Sequence, residues 1–151
     1  MRFFACILFF ASYSFSCVAQ DALEEKAIDL LSRNNYKDAV SVYQKLIKKH
    51  PEDNEYKYKL GLCLLKTHGN RSETINLFET SLSKRKPDAE AFYYLGQAYQ
   101  HDMQFDKALD TYAQAKAIAS KSQTQKIERQ IETCLHAKEL IKYPLNITFS
   151  N

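Results

Sequence analysis

The chain of 151 residues is long enough for one domain, and its three Gly and three Pro make a composition typical of helical proteins. Its 21 Lys and Arg against 18 Asp and Glu leave a net charge of +3, too small to indicate a nucleic-acid-binding protein. Without residues 1–19 the net charge is +2, because Arg2 is the one charged residue among them.

The amino terminus has the pattern of an export signal. Arg2 supplies a charged start, residues 3–15 are mainly apolar, and Cys17 and Ala19 are small where a signal peptidase reads the chain. We therefore predict a signal peptide at 1–19, with cleavage after Ala19. The apolar run is shorter than the about 20 residues needed to span a bilayer, so no permanent anchor is predicted.

An alternative places a lipid anchor on Cys17, with cleavage just before it. The Ser-Phe-Ser sequence at 14–16 is a poor match to the small apolar residues that usually precede such a cysteine. Both alternatives predict a mature protein outside the cytoplasm, either secreted or in the periplasm or outer membrane of a bacterial cell envelope.

Residues 89–122 contain the clearest pattern in the chain. Bulky and small residues follow one another at spacings of three, one, three, nine, four and three, which suits two antiparallel helices joined by a short turn. Gly96 and Ala108 are small where the helices approach closely, and Tyr99 and Tyr112 are large where a gap must be filled. The seven positions are Phe92, Leu95, Gly96, Tyr99, Ala108, Tyr112 and Ala115.

Two further copies of this pattern lie upstream, at about 54–88 and 20–53. In the first of these, Leu60 and Gly61 precede Leu95 and Gly96 by 35 positions. The remaining matches are Leu64, Thr74, Phe78 and Ser81 in one copy and Ala27, Leu30, Ala39, Tyr43 and Leu46 in the other. A non-repetitive helical bundle is the alternative, but recurrence of the small residues at this period favours a repeat.

At these positions the chain resembles the tetratricopeptide repeat family, whose repeat has Leu-Gly, an aromatic residue and two alanines at the same spacing. The resemblance implies an all-α fold. The expected architecture is an α-solenoid of three helix hairpins, at about 20–53, 54–88 and 89–122, within a domain that spans 20–142.

Beyond Ser122 the helical pattern continues as one further helix, at 123–142, which we expect to cap the open end of the stack. Its predicted apolar face contains Ile127, Ile131, Leu135 and Ile141, and its expected contacts are Tyr112, Ala115 and Ile118. Residues 143–151 alternate apolar and polar side chains, which predicts an extended tail.

The order of these segments carries a second resemblance. A signal peptide, three helical repeats, a further helix and a strand that begins at Pro144 resemble the front of large Bacteroidetes-type envelope proteins. In those proteins a β-propeller and a peptidoglycan-binding domain related to outer-membrane protein A follow. Their peptidoglycan binding is not carried over to any residue here.

The chain shows no pattern for catalysis, a cofactor or a metal. It has no Gly-rich phosphate loop, no nucleophile elbow and no HExxH motif. The four histidines, His50, His68, His101 and His136, lack the i, i+4 spacing that places two imidazoles on one metal ion. Cys63 and Cys134 are predicted to be buried free thiols, because they belong to different repeats. We therefore predict a non-enzymatic protein.

The family resemblance implies a concave surface on which the first helix of each hairpin contacts a peptide or protein partner. Six of the nine residues placed there are apolar or aromatic, which favours burial of apolar side chains. The nine residues are Glu24, Ile28, Leu31, Tyr58, Leu62, Leu65, Tyr93, Gln97 and Gln100.

Some members of the family clamp a peptide carboxylate with Lys and Asn on these faces. Here Glu24 and Ile28 stand at the first two clamp positions and only Lys66 is basic, so that clamp is not expected. The predicted function is a protein-interaction module of the cell envelope. The alternative is a structural module that docks through its terminal helix and tail.

Overall fold

A computed structural model describes residues 22–84, 86 and 88–142, and these residues form seven helices and no strand. The predicted signal peptide at 1–19 and the predicted tail at 143–151 lie outside the described residues. The helices are α1 (22–32), α2 (Tyr36–Lys49), α3 (Asn54–Lys66), α4 (Arg71–Ser83), α5 (Ala89–His101), α6 (Phe105–Ile118) and α7 (Lys121–Lys142).

The helices stack in chain order. From α2 onward each helix packs against the next, and α3 also contacts α5, as α5 contacts α7. Ala27 of α1 is fully buried in one cluster with Ala39, Val42 and Leu46 of α2, which joins the first hairpin. This pattern is that of a helical solenoid, so the predicted all-α repeat fold is confirmed.

The three hairpin turns share one backbone geometry. Asn34, His68 and Met103 adopt left-handed φ angles of 56°, 52° and 59°, although none of them is glycine. In each turn the next backbone N–H donates to a carbonyl five residues earlier, as from Gly69 to Leu64 at 2.8 Å. This bond satisfies a carbonyl that the helix end would leave free, and it reverses the chain.

Side-chain caps begin four of the helices. The carboxylate of Asp88 accepts the backbone N–H of Ala91 at 2.8 Å, so Asp88 caps α5. Asn35, Asp53 and Asn70 cap α2, α3 and α4 in the same manner. The caps satisfy backbone donors at the start of each helix and so define where the hairpins turn.

The hairpins close where a glycine faces an aromatic ring. A β-carbon on Gly96 would lie 2.5 Å from Cε1 of Tyr112, and one on Gly61 would lie 3.3 Å from Cε1 of Phe78. Both rings are fully buried. The small residues thus lie at the close approaches that the sequence pattern predicts.

Helix α7 packs antiparallel to α6, as shown by Lys116 with Glu128 at one end and Lys138 with Asp106 at the other. Its buried residues are Ile127 and Cys134. Helix α7 has 22 residues and α6 has 14, so α7 extends beyond the start of α6.

The predicted face of α7 is therefore wrong in part. Leu135 is 46% exposed, because it points about 80° away from Ile127 around the helix. Ile141 is 55% exposed, because it follows Lys138 and lies past the end of α6. Ile118, at the last turn of α6, is also exposed rather than covered.

Cys63 and Cys134 are free and fully buried, as predicted. Burial raises the pKa of the Cys63 thiol to about 11, which keeps it protonated. Among the described residues, no helix combines the length and the apolar character needed to cross a membrane.

Candidate functional site

The nine residues of the predicted concave surface lie on α1, α3 and α5, the first helices of the three hairpins. Tyr58, Leu65 and Tyr93 expose only between 5% and 7% of their surface, whereas Ile28 is 59% exposed. The other five, Glu24, Leu31, Leu62, Gln97 and Gln100, are half-buried.

The three buried residues belong to the core rather than to an open surface, which corrects their predicted role as main contacts. The ring of Tyr58 packs edge-on against Phe78, with centroids 5.7 Å apart. The ring of Tyr93 packs against Tyr94 at 5.4 Å and Tyr112 at 6.1 Å. These aromatic contacts fill the space between neighbouring helices.

Helix α7 engages the third-repeat end of the predicted surface. The ammonium of Lys126 lies 4.2 Å from the ring centroid of Tyr93, a cation–π distance. The side-chain oxygen of Gln100 accepts the Tyr112 hydroxyl at 2.8 Å and the Gln130 amide at 2.9 Å. Gln100 thus helps to hold α7 against α5 and α6.

The central residue of the accessible surface is Tyr94, which is absent from the predicted set. Its half-buried ring lies between two ammonium groups, Lys66 of α3 at 5.4 Å and Lys126 of α7 at 5.5 Å. Burial, and then the neighbouring Glu90, raises the pKa of Tyr94 to about 12, so its hydroxyl remains a hydrogen-bond donor at neutral pH. We call Leu62, Lys66, Tyr94, Gln97 and Lys126 the Tyr94 face.

The Tyr94 face joins helices of the second and third hairpins to the capping helix α7. Lys66 and Lys126 form no ion pair with a carboxylate in the part of the chain that the structure describes. Gln97 donates its amide to the Tyr93 hydroxyl at 3.1 Å, which leaves its carbonyl oxygen as an acceptor. A partner therefore meets an aromatic ring, an apolar side chain and two cations, with the Glu90 carboxylate beside the ring.

Sequence reasoning passed over Tyr94 because the repeat pattern assigns the neighbouring Tyr93 to the inward position. The charge of Lys126 was not predicted to reach this surface, since it belongs to the helix expected to act only as a cap. The signal that identifies the face is the pair of cations on either side of one ring, and it requires the packing of α3, α5 and α7.

The described residues contain no group of three or more His, Cys, Asp and Glu side chains arranged to hold a metal ion. The side chains of the Tyr94 face offer a partner apolar burial, hydrogen bonding and attraction to negative charge.

Residues 24–70 and 65–122 match a family profile described as tetratricopeptide repeat, and together these segments cover more than half of the chain. A comparison with curated proteins gave no significant match.

Several solved structures have a similar fold. MamA from Desulfovibrio magneticus RS-1, from residue 41 to its end, aligns with a TM-score of 0.71 and 25% identity, over 80% of this chain and 66% of that one. The Sgt2 TPR domain from Aspergillus fumigatus gives 0.64 and 15%, over 88% and 87%. The Yersinia enterocolitica type III secretion chaperone SycD, in complex with a peptide of the translocator YopD, gives 0.63 and 18%, over 82% and 94%.

Proposed function

Because the chain belongs to the tetratricopeptide repeat family, we propose that it is a protein-interaction module that binds a peptide or protein on its Tyr94 face. The observation that carries this proposal is the ring of Tyr94 beside the ammonium groups of Lys66 and Lys126, neither of which forms an ion pair with any described carboxylate. Two cations held beside an exposed part of an aromatic ring favour a ligand with both apolar and acidic groups.

The predicted concave surface is part of this proposal in a revised form. Leu62 and Gln97 remain as contact residues, and Glu24, Ile28 and Leu31 of α1 extend the surface toward the first hairpin. The buried side chains of Tyr58, Leu65 and Tyr93 pack below this surface and hold its helices in place. The proposal includes no catalytic step and no cofactor.

We test the proposal with charge reversal. The double variant Lys66→Glu, Lys126→Glu removes both cations from the Tyr94 face, and both side chains are exposed, so folding is preserved. A partner is first identified by photo-crosslinking from a probe at position 97, and its affinity is then measured with purified proteins. We expect the double variant to lose at least about tenfold in affinity.

Lys107→Glu is the matched control. Lys107 also lies over a tyrosine ring, that of Tyr99 at 5.4 Å, but it belongs to α6 and is outside the Tyr94 face. Lys107→Glu reverses one charge and the double variant reverses two. The affinity of the single variant Lys66→Glu is therefore the value to compare with that of Lys107→Glu. Equal loss of affinity in these two single variants would reject the Tyr94 face as the binding surface.

The cell envelope remains the proposed location. Its support is the export pattern of residues 1–19. Fractionation of cells, followed by amino-terminal sequencing, tests it. A mature chain that begins at Gln20 agrees with cleavage after Ala19, a lipid-bearing Cys17 supports the anchored alternative, and an uncleaved cytoplasmic chain contradicts both.

The second candidate is a structural module that docks through α7. The favouring observation is that Leu135, Leu140 and Ile141 are exposed on this helix. Replacing these three residues with Gln, or deleting residues 143–151, should abolish docking while binding at the Tyr94 face persists. If the Tyr94 face variants abolish complex formation and these changes do not, the structural role is wrong.

A further inference from the structure

A second surface feature lies at the turn edge of the stack, between the second and third hairpins. It is a cavity of about 300 Å³ at the carboxyl ends of α3 and α5 and the start of α4. Its floor is apolar and its rim is basic. The floor is formed by Leu64, Leu65 and Ala98, and the rim by His68, Arg71 and His101.

The two histidines on the rim stack on each other. Their ring centroids are 5.7 Å apart and the ring planes differ by 20°. His68 holds the left-handed turn that ends the α3 segment, with φ of 52°, and His101 is the last residue of α5. The backbone geometry of the turn therefore sets the position of one imidazole, and the end of a packed helix sets the other.

The charges around His101 all have one sign. Burial, and then His68, Arg71 and Lys66, hold the pKa of His101 below its usual value. Within the described part of the chain, the guanidinium of Arg71 has no ion pair and no hydrogen-bond acceptor. Asp102, the acid next to His101 in sequence, accepts the side-chain amide of Gln104 instead.

Such a group of cations without a counter-charge repels itself, and it is stabilised by an anion that binds among its members. A metal ion is the less suitable ligand. The two imidazoles are joined by no third His, Cys, Asp or Glu among the described residues, and Arg71 and Lys66 would oppose a bound cation.

We propose that this pocket binds a carboxylate of an acidic peptide, with Arg71 and the two histidines as donors and an adjacent aliphatic side chain on the apolar floor. Arg71 offers a planar pair of N–H groups that matches a carboxylate. The Thr74 hydroxyl and the Gly69 N–H already donate to backbone carbonyls, so the donors come from the rim. The pocket lining shares no residue with the Tyr94 face, although Lys66 of that face is also one of the cations near His101. The argument for the pocket does not depend on the proposal for the Tyr94 face.

Binding at this pocket depends on pH. Protonation of His101 adds positive charge to the rim, and the charged groups that oppose it are His68, Arg71 and Lys66. A bound carboxylate offsets that repulsion, so the ligand raises the pKa of His101, and protonation in turn raises the affinity for the ligand. Affinity therefore increases as the pH falls through the range in which His101 takes up its proton.

The test uses the peptide acetyl-Glu-Leu-amide as the probe and its neutral counterpart acetyl-Gln-Leu-amide as the control ligand. Binding to the full chain is followed by NMR of the imidazole Cε1–H groups, which also gives the pKa of each histidine. We expect the acidic probe to bind more tightly at about pH 5.5 than at about pH 8, and to raise the pKa of His101.

Two arginine variants separate a specific pocket from general attraction. Arg71→Gln should lower the affinity for the acidic probe by about tenfold, the ratio that corresponds to the loss of one charged hydrogen bond. Arg129→Gln removes the same charge from an exposed position on α7 and should change affinity by less than about twofold. His101→Gln should remove most of the pH dependence while weak binding remains at high pH.

The proposal is overturned if the neutral peptide binds equally well, if the two arginine variants weaken binding equally, or if the pKa of His101 does not move. Free acetate that binds as tightly as the probe would overturn the assignment to a peptide. Unchanged affinity for the probe in the Lys126→Glu variant, which alters the Tyr94 face and no residue of the pocket, would show that the pocket works even if the Tyr94 face does not.

Discussion

The backbone of Gly96 lies so close to the ring of Tyr112 that an added β-carbon would be 2.5 Å from the Cε1 atom and 2.6 Å from Cδ1. The ring of Tyr112 cannot easily shift away from Gly96, because it is fully buried and its hydroxyl donates to Gln100 at 2.8 Å. This contact joins α5 to α6. It explains why one residue type, glycine, suits this position of the repeat.

We predict that Gly96→Ala lowers the free energy of unfolding by about 1–3 kcal/mol through overpacking. The loss appears although alanine favours helix by about 1 kcal/mol over glycine. Urea denaturation followed by circular dichroism measures it. Gly61→Ala is the matched control, because its β-carbon would lie 3.3 Å from Phe78, and its effect should stay within about 1 kcal/mol. A smaller loss at Gly96 than at Gly61 would contradict this account.

The turn at Met103 gives a second prediction. Met103 adopts φ of 59° and is exposed, so its side chain adds strain without packing. Met103→Gly should raise the free energy of unfolding by up to about 1 kcal/mol, because relief of left-handed strain exceeds the entropy that glycine adds to the unfolded chain. Asp102→Gly, at φ of −89°, should instead lower it. Thermal unfolding of both variants measures these changes. If both variants are less stable than the wild type, relief of left-handed strain at Met103 does not explain the result.

Stability should fall at mildly acidic pH through His101. Burial, and then the neighbouring His68, Arg71 and Lys66, hold the pKa of His101 in the folded state below its usual value of about 6.5, so the unfolded chain binds the proton more readily. Unfolding is therefore favoured as the pH falls below the unfolded pKa, and the loss is complete below the folded pKa. The melting temperature of the wild type should drop across this window.

His101→Gln should remove part of that drop, while His136→Gln, an exposed change on α7, should leave it in place. Melting curves between about pH 7.5 and about pH 5.5 provide the comparison. If the two variants follow the same curve, His101 is not the titrating group.

The buried thiols give a prediction about reactivity. The thiolate is the reactive form, and burial holds the pKa of Cys63 at about 11 and also raises that of Cys134. Iodoacetamide at about pH 8 should leave both unmodified in the folded protein and modify both in urea. Mass spectrometry of the two peptides measures this. Rapid labelling of Cys63 in the native state would show that the α2 to α4 core opens often.

Much of the fold is predictable from local pattern, and the reason is visible at individual residues. Gly61 and Gly96 lie one repeat apart on the first helices of two hairpins, since each hairpin needs the same close approach. Ala108 is the corresponding small residue on the second helix of its hairpin. Asp88 is recognisable as a cap, because a short carboxylate before a helix satisfies its first backbone donors. These are interactions within one repeat or between adjacent ones.

The candidate site is less predictable. Tyr93 and Tyr94 are neighbours of the same type, and the pattern of α5 alone does not show which ring Phe78, Tyr112 and the other core residues surround. How far α7 extends past α6 likewise depends on where α6 begins. The sequence pattern therefore places Leu135 and Ile141 on the buried face of α7, whereas both are exposed.

Spacing along the chain thus establishes the repeats, their caps and their turns, because those depend on backbone geometry and on residues a few positions apart. Three-dimensional packing decides that Lys66 and Lys126 meet at Tyr94 and that His68 stacks on His101. Each of these contacts joins residues of the third hairpin to residues of the second hairpin or of the capping helix α7. Their distances follow from the angle at which successive helices stack, which is set by the summed packing of the whole core.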